Sequence, residues 1–197
     1  MFSLEDLLGQ QQGNETTNQI SQMLGANPTV TQTAIQMALP AILGGLAKNA
    51  AQPEGAENLS NALQEKHDGG ILDNITGYLT GSNTNSDDGI GILGHIFGQK
   101  QGAVAQQVSK NSGLDVGQVA QLMITLAPIV MGYLGKQKQQ QNLDAGGLSN
   151  LLNQQQQQIQ SSGNPTMDMI SNLLDSNHDG SSMDDIASLA ANYMARR

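Results

Sequence analysis

The sequence predicts an all-α fold, and three observations carry that prediction. Aromatic residues make up 3% of the 197 residues, with no tryptophan, so a core has to be built from Leu, Ile, Val, Ala and Met. Apolar positions recur at three- and four-residue spacing, as in Val119, Met123, Leu126, Val130 and Tyr133, which is the period of a helix face. Glycine, proline, Asp and Asn stand at the ends of such stretches, where helices stop and start. The expected architecture is a two-copy helical repeat core, short amphipathic helices beside it, and a C-terminal helix–loop–helix.

Taken in order, Ser3 opens a helix with Glu5 and Asp6 in its first turn, where acids favour the helix dipole. A helix over Asn14–Leu24 is ended by Gly25 as a C-terminal cap. Asn27-Pro28 is an N-cap followed by proline at the first helical position, and it starts a second, mostly apolar helix. Short amphipathic helices follow Asp/Gly turns: Ile71–Leu79 after Asp68-Gly-Gly, and Ile90–Phe97 after Asp87-Asp88-Gly. Between them, Gly81–Ser86 reads as a polar linker. Gly102–Ser112 forms the next helix, ended by Gly113, and Asp115 caps its apolar successor. Leu122, Ile124 and Ile129 make the other faces of that helix apolar too, so it belongs in the centre of the fold. A short helix at Leu148–Leu152 follows Asp144-Ala-Gly-Gly. The Gln-rich runs 137–141 and 154–158 suit helices, while the composition places flexible hinges near 137–145 and 160–165. From about Pro165 a helix, a polar loop and a final helix with Ile186, Leu189, Ala190 and Tyr193 on one face complete the chain.

The repeat is read at a constant offset with no insertion. Gln19-Ile20-Ser21 matches Gln107-Val108-Ser109, Gly25 matches Gly113, and Pro40 matches Pro128. Leu39–Lys48 then aligns with Ala127–Lys136. Glycine and proline shared at fixed spacing imply shared backbone geometry, so two copies of one helical unit are expected. Pro40 and Pro128 both fall mid-helix, where proline removes a hydrogen bond. Close packing of a bent central pair, helped by Gly44, Gly45 and Gly132, explains them without a functional role.

The densest chemistry lies at the C-terminus, in Asp175-Ser-Asn177-His-Asp179-Gly180-Ser181-Ser182-Met183-Asp184-Asp185-Ile186. Oxygen-bearing side chains at every second position, then a glycine that allows a sharp turn, are the start of a calcium loop. Asp175, Asn177 and Asp179 would supply side-chain oxygens and Ser181 its backbone carbonyl. The bidentate Glu that closes an EF-hand loop is replaced by Ile186. A loop one residue shorter, closed by Asp185 with Asp184 beside it, restores a carboxylate, and which of the two closes it stays open. The missing Glu predicts weak affinity, ~10⁻⁵–10⁻³ M. Asp, Asn, Gly and Ser also make ordinary helix–helix turns, but four carboxylates this close repel one another without a cation. A second stretch, His67-Asp68-Gly69-Gly70-Ile71-Leu72-Asp73-Asn74-Ile75, aligns with His178–Ile186. Gln64 and Lys66 occupy the positions of Asp175 and Asn177, so this copy reads as an Asp-initiated helix start.

Composition narrows the remaining chemistry. A net charge of −9 with eight Lys and Arg disfavours nucleic acid and anionic membrane surfaces. Absence of cysteine excludes disulfides and thiolate metal sites. Met1–Leu8 lacks the basic and apolar regions of a signal peptide. The longest apolar runs, Met37–Ala47 and Leu122–Leu134, fall short of the ~18 residues of a membrane span, so no span is expected. His67, His95 and His178 each stand apart from a second metal ligand at zinc spacing. Gly89-x-Gly91-x-x-Gly94 spells a dinucleotide loop but follows no expected strand, and no nucleophile–base pair is legible.

Three motifs carry a family resemblance: Asp68–Asp73, Asp88-Gly-Ile-Gly-Ile-Leu-Gly-His95-Ile-Phe-Gly98, and Leu126-Ala-Pro128-Ile-Val-Met-Gly132-Tyr-Leu-Gly135. With them the chain resembles a bacterial family catalogued as domain of unknown function 937, which includes YidB-like proteins, and the Asp175–Asp185 tail resembles C-terminal segments in that family. The resemblance implies a cytoplasmic helical protein and brings no catalytic residues. Residues 1–136 are expected to form the helical core of two related units (about 14–50 and 102–136). Residues 137–164 make a Gln-rich connector with a short helix, and 165–197 an EF-hand-like helix–loop–helix. The expected function is non-enzymatic calcium binding for stabilisation or for a protein partner. The alternative is a metal-independent helical scaffold whose acidic turn is a connector. Partner identity and oligomeric state stay open.

Overall fold

The computed structural model describes residues 7–80 and 86–161, and among them there is no strand. Helix α1 (Gln10–Leu24) ends at Gly25, whose φ of 61° lets its own N–H and that of Ala26 turn back to the carbonyls of Gln22 and Ser21. Helix α2 (Pro28–Ala50) starts with the Asn27 side chain accepting from the Thr29 N–H at 2.9 Å. Helix α3 (Pro53–Glu65) leads to a turn in which the Asp68 carboxylate accepts from the Gly70 N–H at 3.0 Å. A 3-10 turn over Gly70–Asn74 and helix α4 (Ile75–Thr80) follow. Helix α5 (Ser86–Phe97) runs through a short 3-10 turn into α6 (Gln101–Ser112), which stops at Gly113 with φ 89°. Asp115 and Gln118 form a reciprocal capping box on α7 (Val116–Gln141), and α8 (Ala145–Ser161) is last.

Most boundaries agree with the sequence reading, and the exceptions have causes. Gly69, at φ 103°, is in a left-handed conformation, so the stretch from Gly70 begins as a tight 3-10 turn and becomes α-helix only at Ile75. Residues 137–141, expected within a hinge, continue α7 until Asn142, at φ 50°, ends it. The helix expected at Leu148–Leu152 extends to Ala145–Ser161. Leu148 and Leu152 lie one turn apart and are both buried, so one apolar stripe docks the whole helix on α2 and α3.

Helices α2 and α7 form the centre. They pack on each other, α2 also touches α1, α3, α5, α6 and α8, and α7 also touches α1, α3, α5, α6 and the 3-10 turn at Gly70. Leu39, Ile42, Leu43, Leu122, Leu126 and Met123 are buried at 0–1% exposure. Both helices are long and apolar enough to cross a membrane, because uncharged Thr and Gln flank the apolar runs; the 18-residue windows have mean hydropathy 1.3 and 1.4. Core helices of soluble proteins pass the same test, and these windows are 72% and 61% buried inside the protein.

Backbone approaches close this core. Pro128 cannot donate to the Ile124 carbonyl four residues earlier, and Gly89 of α5 packs directly on that carbonyl, where a Cβ would overlap it. Gly135 leaves the same kind of room for the His67 carbonyl, Gly45 for Ile96 and Phe97, and Gly132 for Ile71. Side chains then reach across to carbonyls near the C-terminal ends of other helices. Asn49 donates to His95 O at 2.7 Å, Ser149 to Ala50 O at 2.9 Å, and Gln118 to Leu24 O at 3.0 Å. These are groups that a helix end leaves without an internal partner.

Two glycine substitutions should therefore move stability in opposite directions. Gly135→Ala places a methyl against the His67 carbonyl and is expected to cost ~1–3 kcal/mol in urea unfolding. Gly94→Ala, on a helix with nothing within 4 Å of the new methyl, should gain about 1 kcal/mol. A chain cut within 82–86 is also expected to give fragments that fold only when mixed, since α2 packs on α6, α7 and α8 across the cut. Separately stable monomeric halves, seen by circular dichroism and sedimentation, would contradict a shared core.

Candidate functional site

Helices α3 and α5 lie on the central pair with a cleft of about 1070 Å³ between them. Leu46 of α2 and Met131 of α7 line it beneath the two helices. Gly55, Asn58, Leu59 and Ala62 line it from α3 at three- and four-residue spacing, with Lys66 at the helix end. Asp87, Asp88, Gly91, Ile92, His95 and Ile96 line it from α5 on two adjoining stripes. Apolar side chains and a few polar ones at one concave site are the usual make-up of a ligand pocket. No hydroxyl or thiol side chain is among these lining residues.

His67 is the most enclosed polar group of the cleft, at 7% exposure, with its Nε2 3.6 Å from Oδ2 of Asp88, which is 38% exposed. That separation exceeds the ~3.2 Å limit of a good N–H···O bond. Burial pushes the His67 imidazole below its ordinary value; Asp88 pulls it up, Lys66 pushes it further down, and Asp68 opposes that. Its folded pKa lies below the ordinary 6.5, so the imidazole is largely neutral at pH 7. Tyr78 of α4 feels the same carboxylate: burial first, then Asp88, raise its phenol to about 12. Asp88 thus acts on two elements from a third.

The structure brings His67, from the turn after α3, to one cleft with Asp88 and His95 of α5. Among the described residues, no group of three or more His, Asp or Glu has an arrangement that could hold a metal ion. The glycines spelling Gly89-x-Gly91-x-x-Gly94 lie inside α5, away from any strand-to-helix turn. Asp68 is engaged in the turn before Gly70, in keeping with a helix start. The calcium-loop residues Asp175, Asn177, Asp179, Ser181, Asp184 and Asp185, and His178 among them, lie outside the described residues. The cleft itself was not legible in the sequence. Its one local signal is the pairing of Asp88, Gly91 and His95 along a single helix face, and what faces them comes from α2, α3 and the turn after α3.

A family model described as a bacterial protein of unknown function (DUF937) matches residues 6–137. No curated protein and no solved structure matches the chain.

The His67 environment sets a sign for pH dependence. A buried imidazole with a lowered pKa contributes stability that is complete above the unfolded value of 6.5 and declines as pH falls from there towards the folded value. The groups acting on it are Lys66 and Asp68 beside it and Asp88 on α5. Melting temperature should fall between pH 7 and pH about 5.5, and His67→Gln should flatten that slope. In an ultraviolet titration the Tyr78 phenol should ionise at about 12, and Tyr78→Phe should remove that component.

Proposed function

We propose a non-enzymatic calcium-binding role for this chain, which belongs to the DUF937 family of bacterial proteins of unknown function. In this reading the helical core is a cytoplasmic platform made of two related units, about 14–50 and 102–136. The segment 165–197 adds a helix–loop–helix that takes up calcium weakly, stabilising the protein or presenting it to a protein partner. The repeat is supported by paired backbone features. Gly25 and Gly113 are both left-handed, Asn27 and Asp115 both cap with their side chains, and Pro40 and Pro128 both sit inside helices.

The observation that carries the calcium reading is the alternation of Asp175, Asn177 and Asp179 ahead of Gly180, with Asp184 and Asp185 beyond. Hard cations need several oxygens at once, and short loops of this pattern supply them.

Calcium in the millimolar range should raise the melting temperature of the full chain, with magnesium less effective. Saturation at a hundred times the dissociation constant adds about 2.7 kcal/mol. Asp175→Ala and Asp179→Ala should each abolish the response, and Asp68→Ala should leave it intact. If neither melting nor calorimetry changes at about 10 mM calcium, above the weakest affinity class, the chain is a metal-independent scaffold with an acidic connector.

A further inference from the structure

We propose that the cleft between α3 and α5 binds an organic amine with an apolar body, its ammonium group held between the Asp88 carboxylate and the His67 imidazole. The two facing atoms are 3.6 Å apart, too far to bond to each other. One nitrogen at ~2.8–2.9 Å from each fits that gap. An ionised carboxylate only accepts hydrogen bonds, and a neutral imidazole presents one accepting nitrogen. With the imidazole proton on Nδ1, Nε2 and Oδ2 are two acceptors at that spacing; they call for a donor carrying at least two hydrogens, and positive charge strengthens both bonds. The ion-pair contact the structure gives Asp88 is this long one to His67, with Lys66 on the opposite wall of the cleft.

The rest of the cleft defines the ligand's other end. Leu46, Leu59, Ile92 and Met131 give an apolar lining below the polar pair, which suits a hydrocarbon chain or ring. The volume of about 1070 Å³ is at the upper end of the range for small-molecule pockets. Gly91 supplies a further observation. It sits in the helix interior on the cleft wall, and a Cβ there would meet nothing within 4 Å. Glycine is a poor helix residue, and among the described residues no packing neighbour demands it at this position. Gly94 is equally open but lies off the cleft; at Gly91 the missing side chain leaves space for a ligand to approach the α5 backbone.

The test uses the full-length protein in EDTA, so that its outcome is independent of the calcium loop. Octylamine, octanoate and octanol are titrated by calorimetry and by amide chemical shifts. Octylamine is expected to bind at one site, at least about tenfold tighter than octanoate or octanol, since the charged hydrogen bond to Asp88 is available only to the amine. Asp88→Asn should weaken octylamine by about tenfold or more. Gly91→Leu should weaken octylamine by about tenfold or more, by covering the α5 backbone beside Asp88, while the protein still melts cooperatively. Glu15→Gln, a charge loss on α1, should change nothing. Equal binding of octanoate, absence of saturable octylamine binding, or unaltered affinity in Gly91→Leu would each overturn the proposal. Should Asp88→Asn fail to fold, the Gly91→Leu result and the octylamine–octanoate comparison decide it.

Discussion

Everything in this fold follows from having two long helices that are apolar on nearly every face. A helix with a single apolar stripe needs one neighbour, whereas α2 and α7 have to be covered all round. Among the described residues, several of the helices that do this are too short to be stable alone. Helix α4 has six residues, and α5 and α6 have twelve each. Their stability comes from the central pair they cover, and the pair stays out of water because they cover it. The same dependence explains why two helices of membrane-spanning length coexist with mostly buried windows.

Covering a helix tightly exposes the problem of its backbone polar groups. Pro128 leaves the Ile124 carbonyl without its helical donor, on the face that α5 occupies. A side chain at Gly89 would hold the helices apart and enclose that carbonyl in a gap, while a bare glycine lets α5 close over it. The proline and the glycine are therefore parts of one contact, although they lie far apart in sequence. Carbonyls at helix ends are treated differently, by amide or hydroxyl side chains from a neighbouring helix, as with Asn49, Gln118 and Ser149. Gln118 does this while also completing the cap on its own helix, so one side chain joins the start of α7 to the end of α1.

This division explains what was legible beforehand. Caps are local: Gly25, Asn27, Gly113 and Asp115 act within a few residues of where they stand, and the structure uses each as its type predicts. Apolar periodicity is also local, and it marked α7 as central. The Gln runs 137–141 and 154–158 were legible as helix-compatible and both continue a helix; the hinge expected near 137–145 narrows to the residues around Asn142, because what anchors α8, Leu148 and Leu152, lies outside the Gln pattern. The cleft was invisible because its chemistry depends on distant segments meeting. His67 lies in the turn after α3, Asp88 in the first turn of α5, and no spacing rule relates them.

The cleft is also a consequence of how the centre is covered. Helices α3 and α5 both rest on the α2–α7 pair, and each is seated by its own close contact: Gly55 against the Asn49 carbonyl, Gly89 against the Ile124 carbonyl. Asn49 belongs to both arrangements, since its backbone receives α3 while its amide holds the His95 carbonyl of α5. With both helices fixed to the floor, neither can slide to close the space between them. The cleft is held open by the packing that stabilises the fold, and its polar groups are placed before any ligand arrives. Preorganisation of this kind lowers the ordering cost of binding. A carboxylate partly exposed beside a buried imidazole is tolerable there because water reaches Asp88.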